Sequence, residues 1–185
     1  MKLLFLAITL SIVSMISTTA AQTAQDDAAA ARRATREKLR QVLTTSGPKK
    51  GIELTFNQST KNEWNFVCVK RNGLVNSGSM EIVIGISKDN TIGFRIYPSY
   101  NGNYINIEKA RNGAGLMRAL LNLSDKNFLF WGADDGGDIF AGYTFTLESG
   151  FPDKAIEIVL YSIAPLDKFV GDMRPFIDGS NATAN

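Results

Sequence analysis

The sequence has no histidine and a single cysteine, Cys68. Without an imidazole there is no Ser-His-Asp or Cys-His nucleophile, no histidine-ligated zinc site, and no general acid-base group of the commonest kind. Most familiar hydrolase chemistry is excluded. With one thiol the chain closes no internal disulfide, so its core must hold it together unaided. An excess of one charge is missing too. Lys plus Arg number 20 against 18 Asp plus Glu, a formal balance of +2, without the surplus expected of a nucleic-acid binder. No constellation of side chains calls for a cofactor, and no nucleic-acid partner is expected.

What is present suits one compact domain. Of 185 residues, 44% are hydrophobic and 21% charged, which argues for a globular chain and against a disordered one. Met1-Lys2, the apolar run Leu3 to Ile16 and the small residues Ser17 to Ala21 have the basic head, apolar middle and small-residue end of a cleavable signal peptide. Cleavage is expected after Ala20 or Ala21, leaving a periplasmic or secreted product. The apolar run is shorter than the roughly 20 residues of a membrane span, so no stable span is expected after cleavage. Cys68, in the strand-like run Trp64 to Lys70, reads as a small buried hydrophobe rather than a reactive thiol.

Along the mature chain, Gln22 to Ala31 is a polar leader expected to fray. Arg32 to Leu43 is built from strong helix formers, with Leu39, Val42 and Leu43 on one side, and is stopped by Ser46-Gly47-Pro48. Its five Arg and Lys residues read as a solvated face. From Gly51 to Ile107 the period becomes strand-like. Ile52 to Phe56 is one expected strand, and Phe66 to Val69 another that is covered on both faces. Met80 to Ile86 and Thr91 to Tyr97 flank the turn Lys88-Asp89-Asn90 as a hairpin, and Asn101-Gly102-Asn103 sends Tyr104 to Ile107 back along its predecessor. Asn112 to Leu123 reads as a helix with Leu116, Leu120 and Leu123 on one stripe and Met117 and Leu121 beside them. Asn127 to Trp131 and Ile139 to Leu147 form a hairpin about Asp134-Asp135-Gly136-Gly137-Asp138. Ile156, Val159, Ile163, Leu166, Phe169, Met173 and Phe176 then recur at the spacings of a long amphipathic helix, which Pro165 bends.

The expected fold class is α+β, an open antiparallel sheet with helices packed on it, in the order helix, strands, helix, hairpin, long C-terminal helix. The expected organisation is a signal peptide at 1–21, a polar leader and basic helix at 22–50, the α+β domain at 51–177 and a disordered tail at 178–185. The segment Gly115-Leu116-Met117-Arg118-Ala119-Leu120-Leu121-Asn122-Leu123, then Asn127-Phe128-Leu129-Phe130-Trp131 and Asp134-Asp135-Gly136-Gly137-Asp138-Ile139, then a long helix holding Leu166-Asp167, resembles the YbjN family. That family's fold is similar to that of class I type III secretion chaperones. The resemblance implies a small, often dimeric module for protein contact or regulation, with no established catalytic residue to carry over. The signal peptide and the strand-like piece Tyr104 to Ile107 depart from the usual members, and secretion chaperones meet their clients before export.

Three groups of residues are candidates for a site. Asp134, Asp135 and Asp138 offer carboxylates to a calcium ion, but the run lacks the twelve-residue ligand spacing and is read as a hairpin turn. Tyr97, Tyr100 and Tyr104 surround the turn at Asn101 to Asn103 and are the candidate ligand-binding residues, with ordinary cross-strand pairing as the alternative. Glu148, at a strand exit, needs Glu81, Glu53 or Asp153 across a substrate to act as a glycosidase, and otherwise reads as a solvated acid. Charge is uneven along the chain. From Ala21 to Ala133 there are 16 basic and 9 acidic residues, +7, and from Asp134 to Asn185 there are 3 basic and 9 acidic, −6, so the two parts attract within the fold or between protomers. The function expected is that of an exported, non-enzymatic protein-binding, chaperone-like or regulatory module. Its partner is a protein or a second copy in a homodimer. The alternative is a small-ligand or carbohydrate-binding domain, and behind that a carboxylate-based hydrolase.

Overall fold

The computed structural model describes residues 25–180. The expected signal peptide, and the exported location it implies, lie outside them, as does the tail beyond 180. Helix α1 spans 25–46. Residues 25–31, expected to fray, are helical, because their alanines are the best helix formers and extend the basic segment without a break. Leu39 and Leu43, one turn apart, are buried. At Gly47 the helix ends against backbone, where an added Cβ would stand 2.5 Å from the Leu54 carbonyl oxygen and 2.6 Å from that of Leu43.

Ile52 and Leu54 are buried as their alternation requires, yet the strand expected there does not form. Glu53 takes a φ of +57°, which turns the backbone out of the extended region. Only Asn57–Gln58 (β1) pairs, antiparallel to β2 (Asn65–Lys70). In β2, Phe66 and Cys68 are buried while Val69 is 40% exposed, so this strand is covered on one face rather than two. Strands β3 (Ser79–Ile86) and β4 (Ile92–Tyr100) form the long central hairpin, in register from Ser79↔Ser99 to Ile86↔Ile92. Asn101 and Gly102, with φ of +50° and +82°, make the reversal into β5 (Asn103–Tyr104). Two positive-φ residues in sequence are what a type I′ hairpin demands. The returning strand is shorter than expected: Ile105 still donates its amide to Pro98 of β4 at 3.3 Å, but its carbonyl accepts from the Ile139 amide, and the Ile107 amide donates to the Gly137 carbonyl.

Helix α2 (Gly113–Lys126) is capped by Asn112, whose side chain accepts from the Gly115 amide. Strands β6 (Phe130–Ala133) and β7 (Ile139–Phe145) form the expected hairpin. The C-terminal helical stretch is present, and Pro165 divides it into α3 (Asp153–Tyr161) and α4 (Leu166–Ile177). The ring lacks an amide donor and crowds the preceding turn, so here it starts a new helix. Asp178 and Ser180, read as part of a disordered tail, are bonded to the Tyr100 hydroxyl.

The seven strands make one open antiparallel sheet in the order β1-β2-β3-β4-β7-β6, with β5 taking the part of the β4 edge that β7 leaves free. This is the α+β fold expected. Residues from all four described helices join Ile82, Ile84, Phe94, Ile96, Ile139 and Ala141 in one core. Because the strands alternate, Glu81, Val83, Gly85, Gly93, Arg95, Tyr97, Phe140 and Gly142 face the other way. No helix among the described residues is long and apolar enough to cross a membrane.

Candidate functional site

The sheet face turned away from the helices carries a row of rings. Tyr104, Tyr97, Phe140 and Phe130, from β5, β4, β7 and β6, follow one another at centroid distances of 5.6, 5.6 and 5.9 Å. Phe140 is only 6% exposed yet lies outside the main core. It is covered by its neighbours and by the Arg95 guanidinium, 4.8 Å above its ring. Glycines admit the rings: Phe130 stands opposite Gly142 and Phe140 opposite Gly132. A Cβ at Gly142 would meet the Phe130 ring at 2.6 Å, so each ring lies over the glycine across from it. The row is a small second core on a face that also carries Val67, Val69 and Val83.

The three candidate tyrosines are divided by strand alternation. Tyr97 and Tyr104 lie together on the uncovered face, where Tyr104 donates its hydroxyl hydrogen to Glu81. Burial, and next the Glu81 carboxylate, push the Tyr104 hydroxyl up to about 12. Tyr100 points to the helix face, hydrogen-bonded to Asp178 at 2.8 Å with the Arg174 guanidinium 5.3 Å above its ring. The three therefore do not form one ligand site, since neighbours of odd separation on a strand face opposite ways.

The Asp-rich turn is used by its own backbone. Asp134 Oδ1 accepts from the amides of Gly136 and Asp138, each at 3.0 Å. Buried Asn106, which sequence reasoning missed, donates to Asp138 Oδ1 and the Gly136 carbonyl at 2.8 Å and accepts from the amides of Glu108 and Lys109. Among the described residues no group of three or more His, Cys, Asp or Glu is disposed to hold a metal ion. Glu148 is exposed in the turn after β7. Strand β7 ends opposite Ile92, whereas Glu81 stands opposite Tyr97. Five strand positions are about 16 Å, beyond the carboxylate separation of a glycosidase. Glu53 borders a groove with Arg71 and Glu81, and Asp153 sits in the first turn of α3. Cys68 is buried; burial pushes its thiol up against the opposing pull of the Thr55 amide and the Lys70 charge.

The basic helix is more than a solvated face. The Arg32 and Arg36 guanidinium carbons lie 3.8 and 5.0 Å from the Trp64 ring centre, and Arg36 pairs with Glu63 at 2.8 Å. Lys49 pairs with Glu157 at 2.7 Å, so the basic and acidic parts of the chain do meet within the fold. Both ends of the sheet are closed to an added strand in different ways. β1 is two residues long and polar. At β6, the Ser124 hydroxyl of α2 accepts from the Trp131 amide at 2.7 Å and shares its one hydrogen between the Leu120 carbonyl at 2.9 Å and the Trp131 carbonyl at 3.3 Å, covering the centre of the edge.

Ile158 and Tyr161 are exposed on α3, and a longer apolar strip lies along α2. On the outer side of α2, Met117 is 48% and Leu121 70% exposed, and Phe128 just beyond the helix is 53% exposed. Sequence periodicity placed Met117 and Leu121 beside the inward stripe, but only Leu116 and Leu120 of this helix are buried. No family model matches the chain, and no curated protein or solved structure shows significant similarity to it.

Proposed function

We propose that the chain is an exported, non-enzymatic protein-binding module that works as a homodimer, with the outer face of α2 as its contact. The observation that carries this reading is the exposure of Leu121 on a helix whose opposite face is buried. In an antiparallel pairing of two α2 helices centred on Leu121, Arg118 of one copy lies within about one residue's rise of Asp125 of the other. Both are exposed and neither has an ion pair among the described residues. A twofold contact needs such a self-complementary patch, apolar at its centre and oppositely charged on either side. The YbjN-like ending agrees with it, since the strip lies in the segment that carries the resemblance.

Light scattering on the mature chain is expected to give the mass of a dimer, and Leu121→Glu that of a folded monomer. Arg118→Asp should weaken the dimer, and adding Asp125→Arg should restore it. A wild-type chain that stays monomeric at every concentration sinks the proposal. A second reading, a ligand-binding or carbohydrate-binding domain, is favoured by one observation: a groove on the uncovered sheet face.

A further inference from the structure

Beside the aromatic row, the uncovered sheet face holds a groove of about 770 Å³. Its floor is Gly93; the cross-strand partner Gly85 lies under the Asn65 side chain, whose Oδ1 a Cβ there would meet at 2.7 Å. A Cβ at Gly93 would meet nothing within 4 Å, so the space above it is open. Phe130 and Tyr97 stand along one side, and Arg95 and Arg32 line the groove as its charged groups. No Asp or Glu lines it.

Both arginines lack a counter-ion among the described residues. Arg95 has its ring contact with Phe140 and a 3.4 Å contact to the Tyr97 hydroxyl. Arg32 stacks on Trp64 and donates to the Ile86 carbonyl, and its Nε is buried with no hydrogen-bond partner. Neither forms an ion pair among the described residues. The side chains of Asn65 and Thr144, also on the groove wall, make no hydrogen bond within the described chain.

From this arrangement we infer that the groove binds a carboxylated oligosaccharide, with Arg95 and Arg32 each holding a carboxylate. A guanidinium presents paired donors that match a carboxylate, and two of them without an acid nearby select an anion. Ile86, which holds Arg32, is opposite Ile92, three residues from Arg95. Three strand residues are about 10 Å, and the Arg95 guanidinium reaches further along the strand, to Phe140 and the Tyr97 hydroxyl, while that of Arg32 is held at Ile86, so one carboxylate does not bridge them and the ligand carries at least two. Unbonded amide and hydroxyl groups beside exposed rings suit a hydroxyl-rich ligand with apolar sugar faces. An extended peptide instead draws its affinity from free backbone groups at a sheet edge, and this groove lies on the sheet's face.

The test is calorimetric titration of the mature chain with a galacturonic acid trimer, its methyl ester and a polyglutamate peptide. The trimer is expected to bind, and esterification to weaken it roughly ten- to a hundredfold, as loss of hydrogen bonds to charged groups requires. Arg95→Gln should weaken binding, with Arg95→Lys retaining part of it. Gly93→Val should abolish binding while the melting temperature holds or rises, since valine suits a strand and its side chain enters empty space. Leu121→Glu, on the other side of the sheet, should leave binding unchanged whether or not the dimer exists. No binding of the trimer, equal binding of its ester, equal or tighter binding of polyglutamate, or full affinity in Gly93→Val would each overturn the inference.

Discussion

Asp167 shows how much one side chain does here. It is buried at the start of α4. Its Oδ2 accepts from the amides of Val75 and Asn76 at 2.6 and 2.9 Å, and its Oδ1 from the Ser77 amide at 2.8 Å and the Ser77 hydroxyl. A single carboxylate thus ties down a loop some ninety positions upstream. Burial pushes its pKa up, but the Ser77 hydroxyl and the three amides outweigh that and hold it below the ordinary carboxylate value. The folded state therefore binds this proton less readily than the unfolded state. The stability it confers is complete above the unfolded pKa and is lost as pH falls through the folded one, below about pH 4. Asp167→Asn should cost about 2–4 kcal/mol, because it puts an amide donor among donors, and should flatten the acid limb of a plot of unfolding free energy against pH. An unchanged limb would mean that another acid sets it. The residue was visible in the sequence as part of Leu166-Asp167. Its role was not, because its partners come from a distant loop with no motif of its own.

At the scale of elements, the structure departs from simple periodicity where the backbone or a distant neighbour intervenes. Ile52 to Phe56 alternates like a strand and buries the right residues, but Glu53 at positive φ prevents pairing. Pro165 divides one amphipathic pattern into two helices with a single shared apolar face. The β6 edge is the clearest case of a neighbour deciding the outcome. Ser124 also bonds the Leu120 carbonyl at 2.9 Å, which looks like a routine helix contact, yet the same oxygen closes the outer side of Trp131. Ser124→Ala should cost about 1–2 kcal/mol for the buried Trp131 amide left unmatched. It should also make the chain associate through the uncovered edge. Chemical denaturation and light scattering against concentration check the two effects separately, and a variant as stable and as dispersed as the wild type would show that the edge needs no cover.

For the molecule as a whole, a single core runs from α1 through the sheet to α4, so unfolding should be one cooperative transition. The two tryptophans lie at opposite sides of the sheet, Trp64 just before β2 and Trp131 in β6, and make natural reporters. Chains retaining only one of them, through Trp64→Phe or Trp131→Phe, should each give one midpoint that coincides with that from far-ultraviolet dichroism of the same variant. Separate midpoints within a variant would mean that the α1–β2 side melts on its own. Composition and periodicity alone determined the class of this fold, the hairpins at Lys88-Asp89-Asn90 and at the Asp-Gly turn, and the inward faces of most elements. They could do so because burial patterns and turn chemistry are local, repeating every two or 3.6 residues. Only the tertiary structure decided which strand face stays bare, that Tyr100 parts from Tyr97 and Tyr104, that Ser124 seals an edge, and that Arg32 and Arg95 border one glycine-floored groove. Those outcomes depend on register and on packing between segments far apart in the chain, which no local pattern encodes.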